Sequence, residues 1–225
     1  MPIITFSSPK GGCGKTTSAT ILATELALKG VSVTMIDADP NRDVTYWSRL
    51  RSVPTGLDVI SDVCEDGIID AIENASTRSA IVVVDLEGTA NLLVARAISF
   101  SDLVVIPIKG SDLDAKHAAQ EIRQIRLQER TARRAIPFGI LLTMTSPALM
   151  PRTQRHLEAR FAAQGVPLFS TRLAEREAFR ALFSFGGTLD ELDRKAVSNV
   201  DAAIGNARSY VGNIVEAVRT ARVAA

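Results

Sequence analysis

Two cysteines, Cys13 and Cys64, are all that 225 residues contain, with no CxxC pair and no Cys/His cluster at ligand spacing. That scarcity excludes a disulfide framework, a structural zinc site and a cluster scaffold, and both thiols are expected to be reduced. No run of about 18 apolar residues occurs, so no membrane span is expected. Residues 1–6 lack the charged and apolar regions of a secretory signal, which leads to the expectation of a cytoplasmic protein. A dominant charge is missing too: 26 Lys and Arg stand against 25 Asp and Glu. Any contact with nucleic acid must then come from a local patch and not from the field of the whole molecule. Internal repeats, low-complexity tracts and long linkers are also absent.

What the chain does have is 46% hydrophobic residues, enough for one α/β domain expected to span residues 1–225. Short β-branched runs at 3–6, 31–36, 57–60, 81–84, 103–108 and 138–144 read as strands. Most are apolar on both faces, as parallel strands covered by helices are, and they alternate with helical patterns at 16–29, 44–51, 113–130, 151–164 and 202–220. The predicted fold is an open doubly wound, mostly parallel sheet with helices on both faces, its site at the C-terminal ends of the strands. Residues 184–195, Gly-rich and charged, read as a surface loop.

Between the first strand and the first helix lies Ser8-Pro9-Lys10-Gly11-Gly12-Cys13-Gly14-Lys15-Thr16-Thr17. Glycines let successive backbone N–H groups turn inward, and the following helix adds its positive end; both suit the oxygens of a polyphosphate. Lys15 would reach the β and γ phosphates and Thr16 would offer its hydroxyl to Mg²⁺. The plainer reading is a Gly-rich turn with two surface lysines, and for Cys13 a small loop filler.

The usual phosphate-loop pattern needs glycine where this chain has Pro9; the match is to KGGxGKT. Here the sequence resembles the deviant Walker A ATPases of the ParA/MinD group, whose hallmark is the extra lysine at Lys10. The resemblance implies ATP and Mg²⁺ as ligands, with Gly11, Gly12, Cys13, Gly14, Lys15, Thr16 and Thr17 around the nucleotide. It also implies a homodimer in the ATP state, in which Lys10 reaches the partner's phosphates in a charge-stabilising role.

The second strand runs into Asp37-Ala38-Asp39-Pro40-Asn41, which resembles the family's DxDPQ motif with Asn41 in place of glutamine. On that resemblance Asp39 orients the attacking water and Asp37 supports the Mg²⁺ shell; Asp-Pro-Asn is also good turn chemistry. Asp85 closes an apolar strand in Walker B form, beside a Mg²⁺-bound water. The following Leu86-Glu87-Gly88 departs from the family's Asp-Thr-Pro-Pro, and Glu87 reads as an assistant to hydrolysis or as a solvated loop carboxylate. Residues 105–107, 111–114 and 171–179 extend the resemblance over most of the chain, with Thr143-Met144 replacing the usual asparagine near the adenine.

ParA-type proteins bind DNA without sequence preference, so the C-terminal arginines are the candidate contacts: Arg152, Arg155, Arg172, Arg180, Arg208, Arg219 and Arg222, with Arg160 and Arg176 among them. Arg123, Arg126, Arg130 and Arg133, at helical spacing, form an alternative stripe. No basic or helix-turn-helix extension precedes Pro2, which aligns the chain with short ParA proteins, associated with the nucleoid and stimulated by a ParB-like partner. Two rivals stay open. A MinD-like membrane ATPase would use the stripe Val211, Ile214, Val215 and Val218, and a small-molecule ligase on the same fold would need a substrate pocket.

Overall fold

The computed structural model describes residues 1–89 and 91–224. Its strands are β1 (Ile3–Phe6), β2 (Val33–Ala38), β3 (Leu57–Ile60), β4 (Ile81–Leu86), β5 (Leu103–Ile108) and β6 (Phe138–Thr145), with a two-residue β7 (Leu173–Ala174) at one edge. Every pairing is parallel, and the order across the seven-stranded sheet is β3-β2-β4-β1-β5-β6-β7. The helices are α1 (Lys15–Leu28), α2 (Asp43–Leu50), α3 (Ile68–Arg78), α4 (Leu92–Phe100), α5 (Asp112–Ala132), α6 (Arg152–Ala163), α7 (Glu177–Phe185) and α8 (Val200–Ala224).

Two apolar cores flank the sheet, because successive side chains of a strand point to opposite faces. Val83 of β4 joins Met35, Val105 and Leu141 on the face covered by α1, α2, α7 and α8. Val82 and Val84 join Val104, Ile106 and Ile140 on the face covered by α3, α4, α5 and α6. Both faces are therefore dry, which is why the strands read as unbroken hydrophobic runs. Strand β2 begins two residues later than the sequence pattern suggests. Gly30, at φ +80°, ends α1 in a left-handed turn, and the Val31 N–H is still bonded to the Leu26 carbonyl.

The segment at 184–195 corrects the expectation of a surface loop. Gly186, Gly187, Thr188, Leu189 and Leu192 are buried, and a 3₁₀ turn at Leu189–Glu191 is closed by a reciprocal cap between Thr188 and Glu191. The carbonyl of Gly187 accepts the indole N–H of the buried Trp47 at 3.1 Å. A Cβ at Gly186 would stand 2.7 Å from Leu50 Cβ and 2.9 Å from the Arg51 nitrogen, so only glycine lets the two segments meet.

Central β1 pairs with β4 on one side and β5 on the other. At such a point the connections leave to opposite faces of the sheet and open a crevice beyond the carboxyl ends of the strands. The first turn of α1, the ends of β2 and β4, and the start of α5 all converge there.

Candidate functional site

Directly after β1, Ser7 and Ser8 are buried and the chain turns through Gly12 (φ +66°) and Gly14 (φ +90°), conformations that side chains resist. Gly14 is the N-cap of α1. No side chain caps the helix and no acid lies in its first turn, so the leading N–H groups keep their capacity for an anion. Lys15 is 6% exposed, with its ammonium inside a cleft of about 580 Å³ that is also lined by Thr16, Thr17, Asp39 and Gly88. The sequence-derived loop residues thus form one wall of one cavity.

The carboxylates meet them from the sheet. Asp37 and Asp85 are register partners on adjacent strands. One oxygen of Asp37 accepts from the Thr45 backbone N–H at 2.8 Å and from its hydroxyl at 2.6 Å. Its other oxygen and both oxygens of Asp85 are buried with no hydrogen-bond partner. Burial pushes the Asp85 carboxyl up to about 8; the nearby Thr16 hydroxyl and Lys15 ammonium lower it by less. Asp43 is raised by burial and then by the charges of Asp39 and Asp37. Buried acceptors without donors are costly, and a divalent cation beside Thr16 fits them. No three Asp, Glu, His or Cys side chains converge as a metal cage among the described residues, which suits Mg²⁺ shared with phosphate oxygens and water.

Asp39 serves the turn and also faces the cleft. Its Oδ1 accepts the Asn41 N–H at 2.9 Å, fixing the turn, while the residue lines the cleft. Glu87 lines it too, its carboxylate bonded to the side chain of Asn91 at the start of α4. Gly88 lies against the phosphate loop: a Cβ there would be 3.4 Å from the Gly11 nitrogen and 3.6 Å from Lys15 Nζ. Lys10 is docked within its own chain, Nζ 2.7 Å from Asp114 Oδ1. Burial would raise the Asp114 carboxyl, but hydrogen bonds from Lys10 and Ser111 outweigh it and hold it below the ordinary range.

Three supports lie outside the site residues expected from sequence, although Thr143 and the segment 111–114 figure in the resemblance. The Thr143 hydroxyl donates to the Cys13 carbonyl at 2.6 Å and lies 3.0 Å from the Ile108 carbonyl, tying β6 to the loop. Glu121, buried beneath it, accepts the Ser7 hydroxyl at 2.6 Å, and burial raises its pKa. Asp114 is the third. All three sit far along the chain from the loop, and only the acidic spacing of Ser111 and Asp114, a helix-capping pattern, hinted at a supporting role for any of them. Cys13 is 1% exposed and lies beside the Lys10 carbonyl, a packed filler as in its plainer reading.

A second pocket, of about 320 Å³, adjoins the first through Gly14 and Met144. Its walls are Thr143, Leu173, Arg176, Phe179 and Phe183, an apolar slot of a size for a planar ring, and Nε of Arg176 is buried without a partner.

The C-terminal arginines do not form one surface. Arg172 is paired with Glu158, Arg180 with Glu175 and Glu177, and Arg208 with Glu25 and Asp190. Arg155 donates to the Met150 carbonyl. Arg152, Arg219 and Arg222 are exposed and make no hydrogen bond or ion pair among the described residues. The valine and isoleucine stripe of α8 is core: Val211, Ile214 and Val218 are buried, and the buried Tyr210 hydroxyl donates to the Ser18 carbonyl of α1. No helix among the described residues is long and apolar enough to cross a membrane.

Comparison with known proteins agrees with this geometry. The family model described as VirC1 protein matches residues 1–223. A protein named ParA from Rhizobium radiobacter is 42% identical over 210 residues, covering 93% of this chain and 94% of that one. Among solved structures, a Cyanothece McdA–ATP complex superposes with a TM-score of 0.77 at 15% identity, covering 95% of this chain and 96% of that one. A plasmid partition protein from Borrelia burgdorferi bound to AMPPNP gives 0.70 at 19%, covering 96% and 98%. The phosphate loop, the paired strand-end carboxylates and this near full-length likeness together mean that the chain belongs to the VirC1 family of ParA/MinD-type P-loop ATPases.

Proposed function

We propose that this protein is a Mg²⁺- and ATP-dependent positioning ATPase. It closes into a nucleotide-sandwich homodimer, binds duplex DNA without sequence preference in that state, and releases it on slow hydrolysis stimulated by a ParB-like partner. The action is cytoplasmic, on the nucleoid. The single observation that carries the reading is a cleft lined by Lys15, Thr16 and Asp39, with the unpartnered oxygens of the register partners Asp37 and Asp85 buried beside Thr16 and Lys15. The names of the relatives, partition and carboxysome-distribution proteins among them, support a positioning role.

Each residue has a part that follows from its placement. The uncapped first turn of α1 and Lys15 hold phosphate oxygens by directed N–H groups and charge. Adenine enters the slot between Met144 and Phe179, held by apolar contact and by Arg176. Mg²⁺, when bound, neutralises phosphate charge as transfer proceeds. Asp85, once deprotonated, and Asp37 would hold its water shell, and Thr16 would add a hydroxyl. Asp39, fixed by its turn, orients the attacking water, for in-line displacement needs position more than a strong base. Lys10 leaves Asp114 and adds positive charge at the partner's phosphates.

Light scattering after size exclusion tests the scheme. Asp39→Ala should give an ATP-stabilised dimer, and Lys15→Ala and Lys10→Ala should give none; a dimer in all three discards the sandwich. Binding to random duplex DNA, set beside co-sedimentation with anionic liposomes, separates this reading from a membrane ATPase.

A further inference from the structure

The largest local excess of charge lies outside the C-terminal third. Between Ile122 and Ala135 five arginines face a single acid, Glu129, leaving +4 on a chain whose total is +1. Stretches of similar length at 152–163 in α6 and 208–222 in α8 each carry three arginines against one acid. Arg123, Arg126 and Arg130 recur at i, i+3 and i+7 and so share one face of α5, and Arg133 follows as its C-cap at φ +53°.

That face is also shaped. An open concavity of about 660 Å³ is lined by Arg126, Glu129, Arg130, Arg133, Arg134 and Ala135. Two of the guanidiniums brace it: Arg126 is held by both oxygens of Glu129 and lies 5.3 Å over the Phe138 ring, and Arg134 donates to the Ser99 and Ser101 carbonyls at 2.8 Å. The lone acid is spent, since Glu129 also accepts the Ile136 N–H at 3.0 Å. Arg123, Arg130 and Arg133 are exposed and make no hydrogen bond or ion pair among the described residues. The groove lies beside the starts of β5 and β6, at the opposite edge of the sheet from the nucleotide cleft.

We propose that this arginine groove at the end of α5 is the surface that holds the phosphate backbone of duplex DNA, and that the arginines of α8 are secondary. Deepening the DNA-binding reading above, the inference rests on it. Guanidiniums on a stiff helix, over roughly 10 Å from Arg123 to Arg130 at the rise of an α-helix, with Arg133 at its C-cap, face a polymer that carries a charge about every 1.7 Å of its axis. Five of the six residues that line the concavity are charged, four of them arginine, the complement of a phosphate backbone. The remote edge also leaves the phosphate-loop face free for a second copy.

Fluorescence anisotropy with a random-sequence duplex, ATP and Mg²⁺ tests it over a range of salt. Replacing Arg123, Arg130 and Arg133 together with glutamine should weaken binding at least tenfold near physiological salt. The slope of log affinity against log salt should fall by about 2.7, or about 0.9 per lost contact, with ATP-dependent dimerisation and thermal midpoint unchanged. Arg219→Gln with Arg222→Gln should have a smaller effect. If the triple variant does not fold, Arg130→Gln alone should lower the slope by about 0.9. Wild type that binds DNA while the groove variants bind equally, or while the α8 pair loses more, overturns the inference. Wild type that binds no DNA with ATP overturns the proposed function and this inference with it.

Discussion

Lys10 and Asp114, 104 residues apart in sequence, form an ion pair at 2.7 Å in which the aspartate is 2% exposed and the lysine 31%. The lysine proposed to serve a second subunit is thus occupied within its own. Asp114 also completes the cap of α5, accepting the Ser111 N–H at 3.1 Å and its hydroxyl at 2.6 Å. Asp114→Asn keeps much of the cap and gives up the ion pair. It should lower stability by about 1 kcal/mol, the usual scale of a damaged cap, while ATP-dependent dimerisation shifts to lower protein concentration. Sedimentation velocity across a concentration series reads the shift; a dimer weakened to the level of Lys10→Ala would refute it.

Asp85 gives a pH prediction. Its folded pKa, about 8, lies above the ordinary 3.8, so the ligand-free protein favours the protonated form. That contribution to stability is full below pH 4 and is lost as pH rises through about 8. Magnesium needs the carboxylate, so its binding expels the proton and should strengthen as pH rises from 6 to 8. Titration of Mg²⁺ into nucleotide-loaded protein at several pH values measures this. Asp85→Asn should abolish the pH dependence and raise the apparent melting temperature of the ligand-free protein at pH 8.

Gly186 sits at φ +69°, ψ −173°, a region closed to residues with a Cβ, and a Cβ there would collide with the Arg51 backbone. Gly186→Ala should therefore cost about 2–4 kcal/mol, strain and clash combined. The urea midpoint should fall in proportion, and the fluorescence of Trp47, tied to the neighbouring Gly187 carbonyl, should report the loosened contact. An unchanged midpoint would mean that α2 and this segment can part without cost.

Arg208 is held by Glu25, 2% exposed on α1, at 3.3 Å and by Asp190 at 3.2 Å. Burial raises the glutamate's pKa, and the arginine lowers it by less. Arg208→Ala should lower the thermal midpoint, because it leaves a buried carboxyl without its partner. Glu25→Gln in the same chain should recover most of the loss. If Arg208 instead held DNA, the single substitution would weaken DNA binding with the midpoint unmoved.

Legibility followed contiguity. The phosphate loop and the strand-end acids are each carried by a few adjacent residues, and six strands announced themselves because two-sided burial demands unbroken apolar runs. Helices α3, α4 and α7 went unread. Leu92–Phe100 is apolar on most sides because neighbours cover it, so no single buried stripe stands out. The cap of Lys10 by Asp114 and the strut from Arg208 to Glu25 join residues 104 and 183 apart, and the strand order sets β4 between β1 and β2, out of chain order. Which acid meets which base over such a span is decided by packing that no local pattern encodes. The surface-loop reading of 184–195 failed for a related cause: glycines that look like flexibility are there to permit close approach.

The central strand has a consequence for how the molecule is made. Ile4 finds one neighbour in Val83 and the other in Leu103, so β1 has no partner strand until about 80 further residues have been made and is flanked on both sides only after about 100. Contacts of such separation form late and slowly. The proposed phosphate loop, which follows β1 directly, is made well before the strands that hold it in shape, and a nascent chain halted before β5 should lack nucleotide-binding capacity.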